Sequence, residues 1–220
     1  GRMIMGLGLL FFGMHLMKEA TSPLREFEPF IDLMKNMDNP VLAVLASALF
    51  TGVVQSSSAT TGVIIVLASQ GFLSLEAGIP LVFGANIGTC VTALLAAIGK
   101  PREAVRAATI HIVFNTTGVL IFIWLIPQLA EMVRWVSPSA TELGALARLK
   151  AETPRQIANA HTIFNVANTL LFVGFTPLIV RFVEWLVPDR KVPLTKPAGS
   201  RLLDDILVHT PLLAVDVVRV

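Results

Sequence analysis

Charge is what this chain has least of. Asp, Glu, Lys and Arg make up 15% of its 220 residues, against about 25% in ordinary soluble domains. Their placement excludes more than their number. None falls between Asp38 and Glu76, Glu76 and Lys100, Arg106 and Glu131, or Arg155 and Arg181. Each gap reaches the roughly 20 apolar residues that cross a bilayer core, and a soluble fold would have to bury all of these segments at once. With 54% hydrophobic residues and a mean hydropathy of +0.73, the composition predicts an all-α integral membrane protein lying in a lipid bilayer. Cysteine is nearly absent too: Cys90 stands alone, so no disulfide forms within the chain. No basic cluster alternates with aromatics, which argues against a nucleic-acid partner. Also missing are a G-x-S-x-G elbow, a metal-ligating cluster and a phosphate-binding Gly-Lys-Ser loop. The chain is therefore expected not to be an enzyme.

What is present is a polar run in the middle of the apolar stretch between Asp38 and Glu76. QSSSATT, Gln55 to Thr61, places an amide and a row of hydroxyls there with no charge nearby. It leaves two arms of about 15 residues, each reaching about 22 Å where the bilayer core needs about 30 Å. Two short arms meeting at a polar break predict a re-entrant hairpin or a broken helix, tolerated at membrane depth only where protein or a watery cavity surrounds it. Hydroxyls and amides donate and accept, and a helix starting at the serines would turn its unpaired N–H groups and positive dipole end towards an anion. Hydroxyl, amide and carbonyl oxygens are equally good ligands for an alkali cation. No Arg or Lys stands in the run, so a multivalent anion bound there needs co-bound cations to offset its charge. Coupled binding of anion and cation is the thermodynamic basis of symport.

Further along, GANIGTCVT looks like a second interruption of an apolar run, with Gly84, Asn86, Gly88, Thr89 and Thr92 offering the same chemistry. Residues 107–127 and 156–180 read as full spans, with a polar excursion over 128–154 between them. Near the start, Gly6, Gly8 and Gly13 suit close helix packing, and LREFEPFIDLMKNM is amphipathic, as an interfacial helix or a helix under the bundle would be. HIVFNTTGVLIF (from His111) and HTIFNVANTLLF (from His161) match at an offset of 50. Asn115 and Asn165 in these segments are expected to brace neighbouring helices. Residues 188–200 form a Pro-rich linker, and 201–220 look like the start of a further helical element.

QSSSATTG, GANIGTCVTALLAAIG and the HxxFN helices together resemble the type II sodium/phosphate cotransporter family, its bacterial members above all. The resemblance covers most of residues 3–187. It implies a transporter of inorganic phosphate with sodium by alternating access, built from two inverted repeats that each carry a QSSS motif on a re-entrant hairpin. Carried over, Gln55, Ser56, Ser57 and Ser58 would bind phosphate. Gln55, Ser57, Ser58, Asn86, Thr89 and Thr92 would hold or neighbour sodium, with Asn86 shaping a turn. It also implies a multi-pass protein of the cell membrane, in bacteria the inner membrane, with a cytoplasmic element from residue 201. One departure matters: QSSS occurs once, and Gly1-Arg2 does not look like a natural start. The chain is expected to be the family's second half, the other inverted repeat supplied by the rest of a longer chain or by a second copy. A membrane channel, or a non-transporting sensor acting through its tail, is the alternative.

Overall fold

The computed structural model describes residues 2–21, 23 and 26–189. The chain divides into two compact units, Gly1–Val187 and Pro188–Val220. Apart from Pro188 and Asp189, the expected linker and the element from residue 201 lie outside the described residues. Every regular element described is helical. They are α1 (Arg2–Thr21), α2 (Glu28–Asn36), α3 (Pro40–Val54), α4 (Ser57–Gln70), α5 (Leu75–Ala97), α6 (Arg102–Phe122), α7 (Ile126–Val136), α8 (Ala145–Val173) and α9 (Thr176–Leu186), with a 3-10 turn at Ile123–Leu125 between α6 and α7. Two continuous stretches, Leu75–Ala97 and Arg102–Val136, are long and apolar enough to cross a membrane. The pair α8–α9 is long and apolar enough only when taken together, and it is bent by 81°.

Local chemistry sets the boundaries of the central hairpin. Asn39 caps α3 by accepting from the N–H groups of Val41 (3.0 Å) and Leu42 (3.3 Å), and Pro40 at the first turn needs no acceptor. α4 ends where Gly71, at φ +85°, takes the left-handed conformation. There the Phe72 N–H reaches back to the Leu67 carbonyl (3.1 Å), as in a Schellman cap. That α3 and α4 fold back on each other follows from one bond: the Thr51 hydroxyl donates to the Thr60 hydroxyl at 2.9 Å. In an unbroken helix nine residues would separate them by about 13 Å. The predicted hairpin is therefore present, with arms too short to span.

The second predicted break is not. GANIGTCVT lies inside the unbroken α5, and its glycines have another use. α3 and α5 run in parallel, so close that a Cβ on Gly84 would stand 2.3 Å from the Val44 carbonyl oxygen, and one on Gly88 2.5 Å from that of Ala48. Gly84-x-x-x-Gly88 is a small-residue seam that lets two backbones touch. Ser47, buried in the same seam, donates to the Leu81 carbonyl (2.6 Å). The polar excursion expected over 128–154 contains α7 and the start of α8, which begins at Ala145. The span expected over 156–180 bends after Val173. Among the described residues, nothing lies within 4 Å of a Cβ added at Gly6, Gly8 or Gly13 of α1. Asn115 and Asn165 donate to carbonyls of their own helices, those of His111 (2.9 Å) and His161 (2.8 Å); Asn115 also bonds Cys90 of α5, as a bracing residue would.

That last equivalence belongs to a repeat longer than its sequence motif. α7 and α9 have equal length and start 50 residues apart, each with Pro at its first turn, and Val133 and Trp135 match Val183 and Trp185. The two helix pairs pack reciprocally. The Phe114 ring meets Phe172 at 5.5 Å and the Phe122 ring meets Phe164 at 5.2 Å, both edge-on. Each contact is the other with the repeats exchanged, the signature of a local pseudo-two-fold. Gly118 and Asn168, also equivalent, face each other at its centre, where a Cβ on Gly118 would lie 2.3 Å from the Asn168 side chain. Asn168 is fully buried, and neither its amide oxygen nor its nitrogen has a hydrogen-bond partner among the described residues. A buried unmade bond costs about 1–3 kcal/mol. Asn168→Leu, of similar size and without that debt, is expected to raise stability by about 1 kcal/mol, read as a higher midpoint in thermal unfolding of the detergent-solubilised protein.

Candidate functional site

The break between α3 and α4 is two residues wide. Gln55 closes α3 in the left-handed conformation (φ +57°), its N–H bonded to the Thr51 carbonyl at 2.6 Å. Ser56 is extended and caps α4, its Oγ accepting from the Ala59 N–H at 3.2 Å. This geometry brings two helix ends to one point. The first turn of α4 leaves the N–H groups of Ser57 and Ser58 without intrahelical acceptors, and the last turn of α3 leaves carbonyls without intrahelical donors. The two dipole ends carry opposite partial charges of about half a unit. One side of the break thus suits an anion and the other a cation. Gln55 and Ser58 are exposed; Ser56 and Ser57 are half-buried.

The break is braced from within. Thr60, buried, donates to the Ser56 carbonyl (3.1 Å) while accepting from Thr51, so a short chain of hydroxyls ties both arms to the turn. Thr60 lies within the QSSSATT run, whereas Thr51 lies outside it. Their nearly symmetric placement about Gln55 and Ser56 was the available signal.

The predicted cation ligands on α5 divide. Asn86 donates to the Val82 carbonyl (3.0 Å) and Thr89 to that of Ala85 (2.9 Å), both half-buried on their own helix. Asn86 therefore shapes no turn. Thr92 is exposed. The parallel register that sets Ser47 and Thr51 of α3 against Gly84 and Gly88 brings the end of α3 level with Thr92 one turn on. Among the described residues, no hydrogen bond joins the QSSS run to Asn86, Thr89 or Thr92. Cys90, buried beside them, donates weakly towards the His111 carbonyl at 3.6 Å.

A polar cavity lies elsewhere. About 350 Å³ is enclosed by Arg134, Ser137, Ser139, Arg148, Glu152 and Gln156, but its charges are paired internally. Arg134 bonds Glu76, and Arg148 bonds Glu152 at 2.9 Å. The Ala140 N–H, 2.5 Å from Glu152, chiefly holds that carboxyl below its ordinary pKa. This network ties the loop after α7 to α8 and leaves no net charge for a ligand. Among the described residues no three His, Cys, Asp or Glu side chains converge as a metal site would require.

Known proteins resemble the part of the chain that contains the hairpin. A family model described as Na+/Pi-cotransporter matches residues 31–147, from α2 through α7. The chain is 29% identical over 143 residues to the uncharacterized protein YqeW of Bacillus subtilis, a match covering 64% of this chain and 47% of that one. It is 45% identical over 92 residues to the human sodium-dependent phosphate transport protein 2C, covering 40% and 15%. To the human sodium-dependent phosphate transport protein 2B it is 32% identical over 134 residues, covering 56% and 19%. The chain thus spans less than half the length of these curated relatives. No solved structure matches it.

Proposed function

We propose, from the premise that the chain belongs to the Na+/Pi-cotransporter family, that it supplies about half of the binding site of a sodium-coupled symporter of inorganic phosphate. The observation that carries this reading is the break at Gln55–Ser56, where an amide end and a carbonyl end of two helices meet among hydroxyls with no charged side chain in the run. Phosphate is held by the Gln55 amide, the Ser56, Ser57 and Ser58 side chains and the first N–H groups of α4. Sodium is held by the oxygens of Gln55, Ser57 and Ser58 and the last carbonyls of α3, with Asn86, Thr89 and Thr92 lining its approach from α5. Each ion offsets the other's charge in a medium of low dielectric, so neither binds well alone. Sodium is thus a co-transported substrate, and the chain carries out transport rather than catalysis.

The other half of the site comes from a second inverted repeat, and alternating access moves one repeat against the other. Residues 1–187 are the transporter repeat, 188–200 the linker and 201–220 the start of a cytoplasmic element. The protein sits as a multi-pass protein in the cell membrane, in a bacterium the inner membrane.

Uptake of labelled phosphate by proteoliposomes holding the full-length protein is the test. The expected result is saturable uptake that falls at least about tenfold when external sodium is replaced by choline. Flux that rises linearly with phosphate indicates a channel and refutes symport. Absence of both flux and phosphate binding in a folded protein favours the sensor.

A further inference from the structure

The cavity at the end of α7 has a hydroxyl in its wall with nothing to bond. Thr153 is 3% exposed and lines the cavity. Thr89, Thr109, Thr162 and Thr169 each donate to the carbonyl one turn back. Thr153 does not, and its hydroxyl has no partner among the described residues. The ionic groups are also only partly used. Arg134 gives one N–H to Glu76, and Arg148 gives its Nε–H to Glu152 Oε1 at 2.9 Å. The other guanidinium N–H groups meet no acceptor among the described residues. Glu152 Oε1 also accepts from the Ala140 N–H, but Oε2 has only a long contact with Gln156 Nε2, at 3.4 Å.

Free donors thus stand opposite a free carboxylate oxygen, in a cavity of about 350 Å³, a volume that suits a small organic ligand. Arg134 and Arg148 balance Glu76 and Glu152, so the ligand that fits carries both signs and no net charge. The walls come from one continuous stretch, Arg134 to Gln156. They are held together by the Ala140–Glu152 bond and by Asn159 Nδ2 donating to Ser137 Oγ at 2.8 Å. The cavity is therefore formed without a contribution from any other part of the protein. Its position points to the ligand. α7 follows the α6 span and buries Leu129, Ala130 and Val133, while Glu131, Arg134 and Trp135 are exposed. A charged face with an exposed Trp at the end of a span marks the boundary of lipid and water.

We propose that this cavity binds a zwitterionic phospholipid headgroup with the chemistry of phosphatidylethanolamine. Its phosphodiester takes the unused N–H groups of Arg134 and Arg148, which suit phosphate in pairs, and the Thr153 hydroxyl. Its ammonium donates to Glu152 Oε2. Inorganic phosphate shares the first contacts but lacks the ammonium, and its charge is not offset by a balanced cavity. None of the residues assigned to the transported ions lies here, so this inference and the transport reading fail separately.

Native mass spectrometry of the full-length protein tests it, since that protein carries whatever the rest of the chain places over the cavity. The protein is stripped of lipid in detergent and titrated with phosphatidylethanolamine, phosphatidylglycerol or inorganic phosphate. Phosphatidylethanolamine should be held about tenfold more tightly than phosphatidylglycerol, which has no ammonium for Glu152. Inorganic phosphate should not displace it. Thr153→Val keeps the side-chain shape and should weaken phosphatidylethanolamine binding about tenfold, the loss of one hydrogen bond to a charged group. Glu152→Gln keeps an oxygen for the Ala140 N–H and leaves the arginines in excess, so it should reverse the preference in favour of phosphatidylglycerol. Four results overturn the inference. They are no retention of phosphatidylethanolamine, equal retention of the two lipids, displacement by inorganic phosphate, and a folded Glu152→Gln protein whose preference is unchanged.

Discussion

Gly88→Val is expected to abolish the proposed phosphate uptake and to cost the fold on the order of 3 kcal/mol. An added Cβ would stand 2.5 Å from the Ala48 carbonyl oxygen and 2.5 Å from the Thr51 Cβ, a range that real Cβ atoms do not occupy. The obstruction at Ala48 is backbone, so no rotamer change relieves it; α3 and α5 must part. Overpacking of this kind costs about 1–3 kcal/mol and occasionally more. The functional loss comes from position. Thr51 is the residue that both contacts Gly88 and ties the hairpin to Thr60, so separating the helices moves the turn that presents Gln55 and the serines. Gly62, with nothing within 4 Å, is the control: Gly62→Ala should leave stability unchanged or raise it by up to about 1 kcal/mol. Thermal unfolding in detergent and proteoliposome uptake measure both quantities. A Gly88→Val protein as stable as its parent would refute the close seam.

Gln55→Gly separates stability from transport. Gln55 is the only non-glycine residue with positive φ among the described residues, a conformation costing an L-residue about 1–2 kcal/mol. Glycine adopts it freely but loses more entropy on folding, so the net gain should be about 1 kcal/mol or less. The same change removes the side-chain amide from the break. If that amide holds the anion, uptake should fall about a hundredfold, the loss of a hydrogen bond or two to a charged group. A more stable yet inactive protein is the expected pattern, because backbone strain of this kind persists where function over-determines it. If uptake persists while the unfolding midpoint rises, Gln55 is only a turn residue and leaves the proposed site.

The sequence was legible where a local rule decides the outcome. Gaps between charges marked membrane segments because an unpaired charge in lipid is costly. The hairpin could be read because two arms of about 15 residues are each too short to span, whatever else they touch. Where the deciding contact lay far along the chain, reading failed. Glycines and hydroxyls in GANIGTCVT suggested a break because glycine weakens helices. In α5 they are retained because α3 needs the space, and Thr89 and Asn86 satisfy themselves on carbonyls one turn back. The repeat at His111 and His161 was visible as a dozen residues. Its extension through α7 and α9 was masked by charge exchanges such as Glu131 for Arg181 and Arg134 for Glu184, which alter the residues but keep each amphipathic face.

The sequence by itself determined that this is an all-α membrane chain with a polar re-entrant turn at Gln55–Ser56, since apolar length and hydroxyl content act within a single segment. Only the tertiary structure decided which polar groups are left without a partner on their own helices. Thr51 and Thr60 are consumed in bracing the hairpin, Asn86 and Thr89 bond their own helix, and the helix ends at Gln55, Ser57 and Ser58 stay open. The physical reason is that a hydroxyl's availability depends on the nearest acceptor, and in this chain the nearest acceptors are set by how α3, α4 and α5 pack.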